Sequence, residues 1–178
     1  MYLILSGQVG VGKTYVAKMI QRMTGAEVIT SDVVRKRLFP QPSYAPGETE
    51  AVFNKFYMDA RHLLSQGNDV VLDAIFIEQR CIDRVKNELN GSEHYVVRLT
   101  CAEEVILQRL QHRKTHPFGD SDADESIYFR MKKIDEHIPA DFDIDTTNEQ
   151  SLEAKVQELI TQLPFNDLCF RVHQVNNL

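Results

Sequence analysis

Eight residues near the start of the chain, Gly7-Gln8-Val9-Gly10-Val11-Gly12-Lys13-Thr14, combine three glycines with one long cation and one hydroxyl. They match G-x-x-x-x-G-K-[ST] at every required position. Glycines reach backbone conformations closed to other residues, so successive N–H groups can wrap a phosphate. A helix starting near Lys13 aims its positive dipole end at the same anion. Lys13 is placed to reach the β and γ phosphates, and the Thr14 hydroxyl to bind Mg²⁺. The pattern follows an apolar run and opens a helical one, the context such a loop needs.

Other residues offer the rest of a phosphoryl-transfer site. Asp32 and Arg35, in Ser31-Asp32-x-x-Arg35, share a helix face. A carboxylate near the γ phosphate can take the proton from an acceptor hydroxyl, and Arg35 can grip an anionic part of the acceptor. Spacing leaves a plainer alternative open: a helix cap with Asp32 paired to Arg35. Asp73 ends an apolar strand, where a carboxylate can orient Mg²⁺ through water or merely cap the next turn. Arg109 and Arg113 share one helix face and are either lid cations or a solvated basic surface.

Several features carry less. Asp120 to Asp124 suggests a calcium loop, but Glu125 stands where Gly is needed and Met131 where Glu is needed. His112 and His116 are four apart, yet Arg113-Lys114 repel a cation there. Phe53, Phe56 and Tyr57 fit either an acceptor pocket or ordinary core. Glu78 and Arg80 read as a solvated helix start. Asp143 to Thr147 ends a strand, with packing and capping as its plain roles.

To position these groups the chain has 178 residues, 43% hydrophobic and 26% charged, enough for one core. The net charge of -6 argues against a protein dominated by non-specific nucleic-acid binding. Cys81, Cys101 and Cys169 form no C-x-x-C pair, which points to a reducing cytoplasm. Met1 to Ser6 gives way to glycines too soon for a signal peptide, and no apolar run is long enough to span a membrane.

Strands are expected at Tyr2 to Ser6, Glu27 to Thr30, Asp69 to Asp73, about Tyr95 to Leu99, and Phe142 to Asp145. Helices between them are expected from about Lys13 to Met23, Ser31 to Leu38, Thr49 to Gln66, Glu78 to Leu89, Ala102 to His112, Asp124 to Asp135 and Ser151 to Leu163. The prolines at 40, 42 and 46 make Phe39 to Glu48 a loop. Such β–α alternation predicts an α/β fold with a parallel sheet and its ligand at the carboxyl ends of the strands. One domain is expected over 1–163, with a lid at about 113–124 and a tail from 164 to 178 in which Leu168 to Val172 is a candidate edge strand.

Taken together, the phosphate loop, Ser31-Asp32-x-x-Arg35, Leu72-Asp73-Ala74 and the arginine-bearing helix resemble one broad group of small P-loop kinases. It is related to polynucleotide 5′-kinases, gluconate kinases, chloramphenicol phosphotransferase and zeta toxins. The resemblance covers about Met1 to Thr147. It implies a three-layer, nucleotide-kinase-like fold with a five-stranded parallel sheet and a short lid. It further implies Asp32 as general base, Arg35 on acceptor phosphate, Arg113 as the lid arginine, Arg109 near the nucleotide base, and Asp73 on metal or acceptor. The chain departs from the group at Val11, at Thr14 and at Ile75, the last placing acceptor contacts near that turn in doubt. ATP with Mg²⁺ is the expected pair, since no N-K-x-D guanine signature is present. Three functions compete: transfer to a small hydroxyl-bearing molecule, transfer to a polynucleotide 5′-hydroxyl, and an ATPase switch without an acceptor. Nothing motor-like is expected, because the chain is short for a second subdomain.

Overall fold

The computed structural model describes residues 1–115 and 122–166. Five strands form one parallel sheet in the order β2-β3-β1-β4-β5: β1 (Tyr2–Ser6), β2 (Glu27–Thr30), β3 (Val70–Asp73), β4 (His94–Thr100) and β5 (Phe142–Asp145). The central strand β1 is buried along its whole length, as an unbroken apolar run in an interior parallel strand should be. The register aligns Asp73 with both Leu5 and Thr30, so three strand ends meet at one edge of the sheet.

Side chains alternate between two apolar layers. Leu3, Leu5, Val97 and Leu99 face α1 (Lys13–Thr24) and α7 (Glu149–Thr161). Tyr2, Ile4, Leu72 and Val96 face the opposite layer, built from α2 (Ser31–Leu38), α3 (Pro46–Ser65) and α4 (Gln79–Glu88). Phe56 and Tyr57 are fully buried in that layer and Phe53 packs against it, so these aromatics are core. A smaller cluster joins Val9 of the loop to α5 (Glu103–Thr115) and α6 (Glu125–Lys132). This is the three-layer α/β architecture that the residue pattern predicts.

Differences lie at element ends. Helix α3 starts at Pro46, inside the expected loop, because proline at the first helical position gives up no hydrogen bond. Helix α5 runs to Thr115, so Arg113 and Lys114 are helical rather than part of a lid loop. Helix α6 ends at Lys132, three residues earlier than expected. Caps explain two starts: Asp124 accepts a hydrogen bond from the Ile127 amide and Asn148 one from the Gln150 amide. The candidate strand at 168–172, Cys169, His116 and the apex of the expected lid lie outside the described residues.

Candidate active site

The phosphate loop leaves β1 and turns back into α1. Gly7 has φ 144°, and a Cβ there would lie 2.7 Å from the Leu99 carbonyl oxygen, so the loop presses directly on β4. Gly12, at the N-cap of α1, has φ 98°, a left-handed conformation that leaves the first turn open toward a ligand. A Thr146 hydrogen bond then fastens the loop from below. Thr146 is fully buried, and its Oγ1 lies 2.6 Å from the Val11 carbonyl and 3.1 Å from that of Thr100. Arg109 completes this clamp, donating from Nη2 to the Thr146 carbonyl at 2.7 Å and from Nη1 to its hydroxyl at 3.3 Å. The sequence pattern names Thr146 only within the strand-end turn Asp143 to Thr147, with packing and capping as its plain roles.

Lys13 is buried, and its ammonium donates to the Gly7 and Gln8 carbonyls, each at 2.8 Å. Burial pushes its pKa down, while Asp73 first and Asp32 second oppose that shift; Arg113 adds to it. Asp73 is buried beside it at the end of β3, accepting from Thr14 Oγ1 at 2.6 Å and from Thr30 Oγ1 at 3.4 Å. Burial pushes Asp73 up, against Lys13 and the two hydroxyls. Lys13 therefore has Asp73, Asp32 and Arg113 within its electrostatic surroundings, although α1, α2, β3 and α5 supply them separately. The fold brings these expected site residues together.

Thr14 and Asp73 suit Mg²⁺. Both offer hard oxygen atoms, already 2.6 Å apart, at the mouth of the loop. The described residues hold no cluster of three or more His, Cys, Asp or Glu able to bind a metal alone. Mg²⁺ takes one or two protein oxygens and fills its shell from phosphates and water.

Arg35 is placed differently. It is buried, and its Nη1 donates to Glu48 Oε1 at 2.6 Å rather than pairing with Asp32. Its guanidinium also covers the Tyr44 ring at 4.7 Å. Glu48 in turn accepts from the Ser43 amide and hydroxyl, each at 2.7 Å, and from the Tyr44 amide at 3.3 Å. Burial alone would raise the Glu48 carboxyl; the donors from Ser43, Arg35 and Tyr44 outweigh it and hold it at about 2. Tyr44, at φ 57°, reaches across to Asp122 with its hydroxyl at 2.7 Å, and Lys36 approaches the same carboxylate at 3.4 Å. Neither Glu48 nor Tyr44 was legible as a site residue. Glu78 and Arg80 pair with each other in solvent, as a helix start would.

A family model described as an AAA domain matches residues 3–136. The chain belongs to that family. The match covers a single P-loop unit, and the fold is that of the small P-loop kinases. An uncharacterised protein of Mycobacterium tuberculosis strain H37Rv is 26% identical over 141 residues, 70% of this chain. The matched region spans only 27% of that relative's length, and the same holds for a relative in Mycobacterium bovis. Among solved structures, a sugar kinase from Janibacter superposes with a TM-score of 0.68 at 15% identity, covering 94% of this chain and 96% of that one. A gluconokinase from Sinorhizobium meliloti gives 0.62 at 16% identity, with 97% and 95% covered. The Mycobacterium tuberculosis APS kinase, bound to AMPPNP and APS, gives 0.63 at 17% identity over 90% and 95%. No helix among the described residues is long and apolar enough to cross a membrane.

Proposed function

We propose that the protein is a phosphotransferase that moves the γ-phosphoryl of ATP to a hydroxyl-bearing acceptor. The observation that carries this is the loop geometry: the Lys13 ammonium lies 2.8 Å from each of the Gly7 and Gln8 carbonyls, and Thr14 Oγ1 lies 2.6 Å from the Asp73 carboxylate. In the proposed step the acceptor oxygen bonds to the γ phosphorus, the bond to the bridging oxygen breaks, and ADP leaves. Asp32 takes the hydroxyl proton, the role a positioned carboxylate fills in other kinases. Lys13 and Arg113 hold the negative charge spread over the transferring group. Mg²⁺, held by Thr14 and Asp73, would offset the charge of the β and γ phosphates. Arg109, beside Gly12 and the Thr146 turn, is the proposed neighbour of the nucleotide base. Cys81 and Cys101 are free thiols, in keeping with a cytoplasmic setting.

A small acceptor is favoured over a polynucleotide 5′-hydroxyl. In the basic run Arg35-Lys36-Arg37, which would suit a polynucleotide, Arg35 is buried against Glu48 and Lys36 faces Asp122. The test incubates the protein with γ-labelled ATP, Mg²⁺ and two pools, small hydroxylated metabolites and 5′-hydroxyl oligonucleotides, with Asp32→Asn alongside. The expected result is label in the small-molecule pool, falling by about 10²- to 10⁴-fold in the variant. Hydrolysis without transfer, indifferent to Asp32, would identify an ATPase switch instead.

A further inference from the structure

A cavity of about 520 Å³ opens beside the phosphate loop, within the range of roughly 300–1,000 Å³ typical of small-ligand sites. Its walls come from the ends of β1 and β4 and from the segment that follows α6. Six lining residues decide what it can hold: Gln8, Arg98, Lys132, Asp135, Glu136 and His137.

Both cations in this wall are already committed. Arg98 donates to Asp143 from Nε at 2.6 Å and from Nη2 at 3.0 Å, and its Nη1 rests against the His137 ring nitrogens at 2.9 and 3.0 Å. Lys132 is paired with Glu103. Neither Asp143 nor Glu103 lines the cavity. The groups left open are of another kind. Among the described residues the Asp135 side chain makes no hydrogen bond or ion pair, and the Glu136 side chain accepts only the Gln79 amide, at 2.7 Å, through Oε2. Both side-chain polar atoms of Gln8 are buried with no partner. An amide left so carries an unrecovered desolvation cost, which a ligand hydroxyl would remove.

Resting on the phosphotransfer reading, we infer that this cavity is the acceptor subsite and takes a polyhydroxylated molecule carrying no anionic group. Hydroxyls of such a molecule donate to Asp135 and Glu136, and a vicinal pair meets the Gln8 amide with one donor and one acceptor. A carboxylate or phosphate on the acceptor would face two carboxylates and no uncommitted cation in this wall. Proximity to the chemistry is built in, because the Lys13 ammonium bonds the Gly7 and Gln8 carbonyls at the cavity's edge.

The test measures binding by calorimetry, in the presence of Mg²⁺ and a non-hydrolysable ATP analogue. The panel is a set of neutral hexoses and polyols, an aldonate of the same carbon number, and a 5′-hydroxyl oligonucleotide. A neutral member binds, and Asp135→Asn weakens it about tenfold without changing analogue affinity; Gln8→Leu weakens it as well. Preferential binding of the aldonate or oligonucleotide overturns the inference, as does binding indifferent to Asp135→Asn or no binding by any member. Polyol binding that Asp135→Asn abolishes, with no label moved from ATP, keeps the ligand class and sinks the phosphotransfer reading.

Discussion

The nucleotide side and the proposed acceptor side sit at the same edge of one sheet, yet they are built in opposite ways. On the nucleotide side, eight consecutive residues supply the phosphate cradle, and most of the binding falls to backbone N–H groups. The structure holds this cradle down with fully buried contacts: Gly7 against Leu99, and Thr146 beneath Val11. On the proposed acceptor side almost every group is a side chain, contributed by separate segments. Asp32 comes from α2, and Asp135 and Glu136 from the stretch beyond α6. A phosphate has one shape, so one local backbone answer serves. An acceptor is particular to each enzyme, and side chains on separate segments can be exchanged without disturbing the cradle.

Substitutions can break or sharpen that contrast. The largest effect is expected from Lys13→Met, which removes the cradle's cation while keeping its bulk. Phosphotransfer should fall on the order of 10³-fold, read as kcat, with the melting temperature showing that the fold persists. Next in size is Thr146→Val, which leaves the Val11 carbonyl without its buried donor, while the Thr100 carbonyl keeps the Thr146 amide. It should cost about 1–3 kcal/mol in denaturant unfolding and weaken ATP binding. A loss of stability with ATP affinity untouched would show that the cradle does not depend on this tie.

The smallest expected effect lies at the buried Arg35–Glu48 pair. Glu48 is held at about 2 against an ordinary 4.5, so the unfolded chain protonates first as the pH falls. Its stabilisation is complete above about pH 4.5 and drains away toward pH 2. Melting temperatures of Glu48→Gln and the parent should therefore differ most above that window and converge within it. A constant gap across all pH values would show that the Arg35–Glu48 contact stabilises through shape rather than charge.

Sequence alone determined the features whose physics is local. The glycine spacing, Lys13 and Thr14 specify a phosphate cradle, because a chain of this composition at a strand end has few other uses for them. The alternation of short apolar runs with helical periodicity determined a parallel sheet, because period and length differ between the two elements. The tertiary structure alone decided which charged groups are committed and which stay open. Arg35 pairs with Glu48, thirteen residues on, in a burial that helical spacing cannot register. Arg98 was silenced by Asp143 and Lys132 by Glu103, while Gln8 and Asp135 were left open. Ion pairing and burial depend on distances between segments, and strand order sets those distances; spacing along the chain does not contain them.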